Sequence, residues 1–367
     1  MSGFFFAADL HLQPTAWVGR QSLRGDSYFA LQQILELMRQ YQKPVILGGD
    51  VFDSDRPDSE SARVFSDFCR DVKESGLAAY YVRGNHDDAV PGWAGILGAE
   101  HVVGPRIIGD IPVYGLDYTP RSRLGYELQQ VPQDAVFICH QAWKELQGGA
   151  HFDGSLEDCP AMVTLAGDLH MTLERTLSGG RRAYSPGSTC MQSIDEPESK
   201  FVAYCDYNPE GGVIAVSWVG IKSRGVRRFK AMTVEDLDAV CVALQGWTDV
   251  TPGVPLDLQK QIVAVEYDPA LPRVAERLQF AAAEKVHLFM IARPRAGSDV
   301  AVEISTRTGV TAMEAFSEVA QTAAPQDADA LVELLRAAAA GASQAEAMLA
   351  DRRKVFLDSR SSSTVVV

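Results

Sequence analysis

The chain has no apolar stretch approaching the roughly 20 residues that a membrane helix requires, so nothing in it reads as a transmembrane span. Its six cysteines, at positions 69, 139, 159, 190, 205 and 241, form no C-x-x-C pair. Such scatter argues against a disulfide framework or a cysteine-based metal knuckle and fits reduced, buried thiols. Positive charge is also short: 34 Lys and Arg against 48 Asp and Glu leave a formal net charge of -14. A chain so acidic does not coat nucleic acid nonspecifically, because lysine and arginine on phosphate drive that association. Any such binding must be local, metal-assisted or shared with a partner. The opening Ser2-Gly3-Phe4-Phe5-Phe6-Ala7-Ala8-Asp9 lacks a basic n-region and stops at a carboxylate, so it reads as a buried first strand rather than a signal peptide, and a cytoplasmic protein is expected.

What is present is ordinary globular composition, 46% hydrophobic and 22% charged, in 367 residues. That length calls for about two folded units at roughly 150 residues each. Apolar runs alternate with amphipathic stretches in the first half, as in a layered α/β fold. Strands are predicted near residues 3–8, 45–47, 79–82, 111–116, 135–139 and 162–166. Between them, Asp26 or Ser27 is placed to cap a helix carrying Leu31, Ile34, Leu35 and Met38 on one face, and a second helix runs from about Asp58 to Ser75 with Gly76 as its stop. A hairpin is predicted at Gly179-Gly180 and another around residues 208–212. The locally basic run Lys222 to Lys230 breaks the composition, and the first domain is taken to end at 221. A small α/β module of helices near 233–244 and 271–283 and strands near 261–266 and 286–292 is expected within 222–325, then Ala- and Leu-rich helices at 326–358 and a disordered tail at 359–367.

Four of the seven histidines fall in polar clusters that follow predicted strands: Asp9-Leu10-His11, Gly84-Asn85-His86-Asp87, Cys139-His140-Gln141 and Gly167-Asp168-Leu169-His170. A fifth cluster, Gly48-Gly49-Asp50-Val51-Phe52-Asp53, offers carboxylates alone. Any one cluster is more simply a turn, a helix cap or a satisfied polar residue. Together they supply a mixed nitrogen and oxygen donor set suited to manganese, iron or zinc and unlike the all-oxygen set of calcium. Two metals about 3.5 to 4 Å apart need a bridging carboxylate, and Asp50 is the choice for it.

In order and identity the five clusters resemble the calcineurin-like metallophosphoesterases, whose pattern is D-x-H, G-D-x-x-D, G-N-H-D, H and G-H-x-H. Finer features, namely Gly48 to Asp53, the His140-Gln141 pair, Tyr184-Ser-Pro-Gly-Ser188 and Ser193-Ile-Asp-Glu196, resemble the SbcD-type nuclease subunit of DNA double-strand-break repair complexes. The resemblance implies a layered β-sandwich flanked by helices, a small capping domain, and a C-terminal helical region that docks an SMC-like ABC ATPase of the SbcC type. It implies Asp9, His11, Asp50 and His170 around one metal, and Asp50, Asn85, His140 and position 168 around the other, with two Mn²⁺ or alternatively Mg²⁺. His86 would be a general acid or transition-state donor. Asp87 would orient it, or else cap a helix, and Asp53 would support the ligands or serve only the turn. The implied activities are 3′ to 5′ exonuclease and single-strand endonuclease on DNA, in a homodimer.

One departure stands out: Asp168 occupies a position where the family carries histidine. Either the carboxylate remains a ligand and hardens the site toward manganese or magnesium, or the second position is weakened. The basic run, with Lys222, Arg224, Arg227 and Arg228, is either a DNA-contacting edge or a solvated linker. The stripe after Asp327 either binds a partner or packs on its own domain. Two rival functions follow: a phosphoesterase for nucleotides or other small phosphodiesters, and a weakly active scaffold for the ATPase.

Overall fold

The structure, a computed structural model, describes residues 2–15, 23–87, 90, 92–147, 152–208 and 213–293. The first part of the chain runs β1 (Ser2–Ala7), α1 (Asp26–Tyr41), β2 (Val45–Gly48), α2 (Ser59–Glu74), β3 (Ala79–Val82), α3 (Trp93–Ile96) and β4 (Glu100–His101). It continues through β5 (Gly104–Ile108), β6 (Ile111–Leu116), α4 (Arg121–Leu128), β7 (Val136–His140), α5 (Lys144–Gln147), β8 (Val163–Gly167), β9 (Leu173–Thr176) and β10 (Arg182–Ser185). The long strands β11 (Lys200–Asn208) and β12 (Val213–Ile221) follow as an antiparallel pair. Last come β13 (Val226–Ala231), α6 (Val234–Gln245), β14 (Ile262–Tyr267), α7 (Val274–Ala282) and β15 (His287–Ala292).

Among the described residues two six-stranded sheets and one three-stranded sheet result, in the orders β12-β11-β1-β2-β3-β4, β5-β6-β7-β8-β10-β9 and β13-β14-β15. β1 shows why the large sheets stack. Phe4, Phe6 and Ala8 point into a core shared with Ile111, Val113, Val136, Ile138 and Leu165 of the second sheet. Phe5 and Ala7 point the other way, against Leu31, Ile34 and Met38 of α1 and Phe65 and Phe68 of α2. A strand buried on both faces reads as a continuous apolar run, the pattern expected of parallel sheets covered on both sides. Outside the second sheet, Leu124, Leu128, Trp143 and Leu156 close a third apolar layer on Phe137 and Cys139. This is the layered α/β architecture with a smaller sheet that the sequence led us to expect.

The small sheet is wholly parallel, with α6 and α7 as its crossovers and a core of its own built on Leu237, Leu244, Val263, Val265 and Leu278. Thr233 starts α6 with a capping box in which Asp236 returns the hydrogen bond. The basic run is only partly a connector. From Val226 it is β13, with Val226 and Ala231 buried and Arg227, Arg228 and Lys230 facing out. At α1, Asp26 is not the cap: Gly25, at φ 82°, precedes the helix, and Asp26 lies in its first turn. Asp58 does cap α2, accepting from Glu60 and Ser61 N–H. The expected helices at 326–358 and the tail at 359–367 lie outside the described residues, as does 294–325. Among the described residues no helix is long and apolar enough to cross a membrane.

The topology determines where donors can meet. β1, β2 and β3 are parallel neighbours in the first sheet, and β7 and β8 are parallel neighbours in the second. Their C-terminal ends carry Asp9 and His11, Asp50, Asn85 and His86, His140, and Asp168.

Candidate metal centre

His140 is the last residue of β7 and is completely buried. Its Nδ1 lies 2.8 Å from the carbonyl oxygen of Gly48, which fixes the proton on Nδ1 and turns Nε2 into the site. There Nε2 is 3.3 Å from Asp50 Oδ2, 3.9 Å from Asp9 Oδ1, 3.7 Å from Asp168 Oδ1 and 3.1 Å from Asn85 Oδ1. The imidazole has this room because of Gly49: a Cβ there would sit 2.4 Å from Nδ1, at a φ of +91°.

The other half of the site is built from His11 and His170, whose Nε2 atoms face each other at 3.3 Å. His11 Nε2 is 3.7 Å from Asp50 Oδ2, and His170 Nε2 is 3.8 Å from Asp9 Oδ1. Asp50 Oδ2 therefore lies between His11 and His140, while Asp9 Oδ1 lies between His140 and His170. Two groups of metal-competent atoms result: Asp9, His11 and His170, and Asp9, Asp50 and His140. His11, Asp53 and His86 form a third. His11 Nδ1 is 3.2 Å from Asp53 Oδ1 but out of line for a hydrogen bond, so this buried nitrogen has no hydrogen-bond partner. Facing imidazole nitrogens and interleaved carboxylates are what a divalent cation resolves, while the orphaned His11 Nδ1 lies on the Asp53 side of the ring. The donor set fits a pair of such ions.

Electrostatics follow the same division. Burial alone would raise the Asp50 carboxyl, but the hydrogen bond and charge of His140, with His11 and the His86 backbone N–H, bring it down to about 2. Burial would likewise lower the His140 imidazole, and Asp50, Asp9 and Asp168 together hold it up at about 10. Asp168 is raised, first by burial and then by the charges of Asp9 and Asp50. Its backbone N–H donates to the Asp9 carboxylate at 3.1 Å.

His86 stands at the rim, its Nδ1 2.7 Å from the Asp53 carbonyl oxygen and its Nε2 4.0 Å from Asp50 Oδ2. It lines an open cleft with Asp53, Ser54, Asp55 and Asn85. Asp87 does not orient it, contrary to the expectation from the sequence. Its buried carboxylate accepts the backbone N–H groups of Val51, Phe52 and Gly84, so it braces the Asp50 loop against the Asn85 loop. The oxygens face main-chain donors, and the imidazole takes the Asp53 carbonyl instead. Gly84 lets these loops touch, since a Cβ there would lie 2.0 Å from Asp50 Oδ1.

Glu196 is the functional neighbour that position-by-position reading passed over. Its Oε1 is 2.7 Å from His170 Nδ1, and its Oε2 accepts from Ser188 Oγ and from the buried Lys200 ammonium, both at 2.7 Å. Burial would raise this carboxyl, yet His170 and Lys200 hold it down at about 2. Among the basic residues, Arg224 corrects the DNA-edge expectation. It is 3% exposed and spends its guanidinium on Asp26 and on the carbonyls of Arg24, Asp257 and Lys260. A buried carboxylate and three carbonyls satisfy its donors, so it joins the small sheet to α1. Arg228 bonds the Ile194 and Glu196 carbonyls and pairs with Glu198. Arg227 is exposed, and Lys222 receives the Gln33 side chain on both its backbone groups.

Fold and clusters together define a metal-dependent hydrolase with a calcineurin-like metallophosphoesterase fold. The sequence profile of the calcineurin-like phosphoesterase family matches residues 4–145, which include every donor named except Asp168 and His170. The chain is related at low identity to archaeal DNA double-strand break repair proteins Mre11. That of Nanoarchaeum equitans is 32% identical over 83 residues, 22% of this chain and 23% of that protein. The Haloferax volcanii protein is 28% identical over 182 residues, 45% of this chain and 40% of the relative, and the Methanosarcina mazei protein 26% identical over 192 residues, 46% and 30%. The chain thus spans less than half the length of these relatives.

Proposed function

We propose that the chain is a metal-dependent DNA nuclease subunit that hydrolyses phosphodiester bonds, as a 3′ to 5′ exonuclease and single-strand endonuclease, in the cytoplasm and with an SMC-like ABC ATPase. The observation that carries hydrolysis is the interleaving of Asp9 and Asp50 between the imidazoles of His11, His140 and His170. Two Mn²⁺ ions, with Mg²⁺ as the alternative, would supply stabilisation of phosphoryl charge and acidify an attacking water. Asp9, His11, Asp50 and His170 would hold one, and Asp50, Asn85, His140 and Asp168 the other. Asp50, whose Oδ2 lies 3.7 Å from His11 Nε2 and 3.3 Å from His140 Nε2, would be the carboxylate shared by the two.

His86 suits proton delivery. With Nδ1 bound to the Asp53 carbonyl, the ring has only Nε2 left to face a phosphate oxygen in the cleft. The DNA double-strand break repair role named for the Mre11 relatives supports DNA as substrate, and the resemblance to the SbcD-type subunit supports the ATPase as partner. Val90, Trp93 and Ile96 are exposed by 83%, 36% and 56%, and Trp93 Nε1 donates to the Asp55 carbonyl at the cleft, so this exposed apolar stretch suits a homodimer contact.

A second reading, a hydrolase of small phosphodiesters, is favoured by the acidic cleft rim of Asp53 and Asp55 and the net charge of -14. The deciding experiment offers linear duplex DNA, circular single strands and bis(p-nitrophenyl) phosphate to the purified protein in Mn²⁺, beside Asp50→Ala and His86→Ala. DNA cleavage lost by at least about 100-fold in both variants is expected. DNA cleavage that persists in both refutes the site assignment, and turnover of the small ester alone selects the second reading.

A further inference from the structure

Arg228 lies on β13 of the small sheet, yet its donors leave that sheet. Nη2 donates to the Ile194 and Glu196 carbonyls, both at 2.8 Å, and Nη1 pairs with Glu198 Oε1 at 3.1 Å. Three contacts to one loop from one guanidinium fix that loop's position more firmly than a point charge would. The loop is what presents Glu196, whose side chain turns inward while its carbonyl is gripped from outside.

Glu196 in turn is fully engaged. It is 6% exposed, with His170 Nδ1 on Oε1 and with Ser188 Oγ, Lys200 Nζ and the Gln192 N–H on Oε2. Lys200, 3% exposed, neutralises the carboxylate from behind and also donates to Ser188. The consequence for His170 is specific. Its ring is held by Nδ1, so Nε2 is the atom turned toward Asp9 and His11. A carboxylate on the far nitrogen fixes both ring orientation and basicity of a metal-binding imidazole, and losing such a partner typically weakens the metal 10- to 100-fold.

We propose that Glu196 is the positioning residue for His170 and that Arg228 holds it there, so that the small sheet sets the affinity of one of the two metal positions. This rests on the two-ion reading of the site. It also gives Arg228 a role other than phosphate contact. A shift of the small sheet, such as an attached partner would impose, reaches the metal centre through one loop and two side chains, with no rearrangement of Asp50 or His140.

The test is Mn²⁺ titration calorimetry on the intact, metal-stripped chain at one pH. The wild type is expected to take up two ions. In Glu196→Gln one of the two affinities should fall 10- to 100-fold and the other stay within about twofold. Because that change also leaves the Lys200 charge unpaired and risks the fold, Arg228→Ala is the companion. It alters a half-exposed residue, leaves the buried Glu196, Lys200 and Ser188 cluster intact, and should weaken the same ion several-fold with the metal-free melting curve unchanged. Wild-type affinities for both ions in Arg228→Ala overturn the proposal, as does equal weakening of both ions in either variant. A wild type that binds fewer than two ions overturns instead the reading on which it rests.

Discussion

Loading the centre with metal should expel a proton, and the structure says from where. In the metal-free protein His140 is held at about 10 against an ordinary 6.5 by Asp50, Asp9 and Asp168, which outweigh its burial. At pH 7.5 it is therefore an imidazolium, with Nε2–H on Asn85 Oδ1 at 3.1 Å and Asp50 Oδ2 3.3 Å away. A metal ion needs the Nε2 lone pair, so binding releases about one proton from His140 across the range where it is charged. Apparent affinity for the ion beside it should then rise roughly tenfold per pH unit, about 100-fold between pH 6.5 and 8.5, or about 2.7 kcal/mol. The folded state moves the opposite way. Because the folded pKa is raised, the stability that His140 contributes without metal is complete below pH 6.5 and is lost as pH climbs toward 10. The assay is Mn²⁺ calorimetry at pH 7.5 in PIPES and in Tris, whose ionisation heats differ. The difference in observed heat divided by the difference in ionisation heat should give at least one proton per pair of ions. Identical heats in the two buffers refute the reasoning, since they would mean that His140 is neutral before metal arrives.

Asp168→Ala should reduce Mn²⁺ uptake from two ions to one if the carboxylate 3.7 Å from His140 Nε2 is a ligand; retention of two ions in a metal-content measurement contradicts that role. Arg224→Met should cost about 3 to 5 kcal/mol in urea unfolding, because it strands the Asp26 carboxylate beneath a joint where the side chains are 2% and 10% exposed. The same variant should flatten an acid limb of the stability curve. Burial, then the charges of Arg224 and Lys260, lower His287 to about 4, so the fold prefers it neutral and loses stability as pH falls from about 6.5 toward 4. An unchanged acid limb in Arg224→Met would remove Arg224 as a cause.

The donors were readable because each follows an apolar run directly, and a chain that ends a parallel strand must place its next residues at the same sheet edge. Asp9, Asp50, Asn85 and His140 obey that rule, and the strands that carry them were equally plain. Glu196 was not, because the residue it serves is 26 positions away, across β9 and β10, and neither residue lies on a strand. Asp87 misled in another way. The family resemblance implied a partnership with His86, beside the alternative of a helix cap, and the structure gives that partnership instead to the Asp53 carbonyl. β13 hid inside a basic run because Arg227 and Arg228 face out while only Val226 and Ala231 are buried. Arg224 is the sharpest case: charge read as surface proved to be a buried joint, and only the tertiary positions of Asp26 and three carbonyls account for it.

The same local geometry that hides in sequence carries the chemistry. Of the eight non-glycine residues with positive φ among those described, four, Asp9, His11, Asp50 and Asp168, at 52°, 43°, 48° and 80°, belong to the site. Such conformations cost on the order of 1 to 3 kcal/mol each and persist only where surrounding contacts over-determine them. Here the contacts are identifiable. The Asp9, His11 and Leu12 N–H groups donate to the Gly49, Asp50 and Val51 carbonyls, zipping the first donor loop onto the second. Asp87 ties that second loop to the third, and the Asp168 N–H ties the fourth to Asp9. Four loops joined in this way, three of them strained, cannot relax one at a time, so the candidate donors are already aimed by the fold itself. Binding then need not fund the ordering of the loops. That leaves the finer adjustment of affinity to the few side chains, Glu196 foremost, that turn a ring rather than move a backbone.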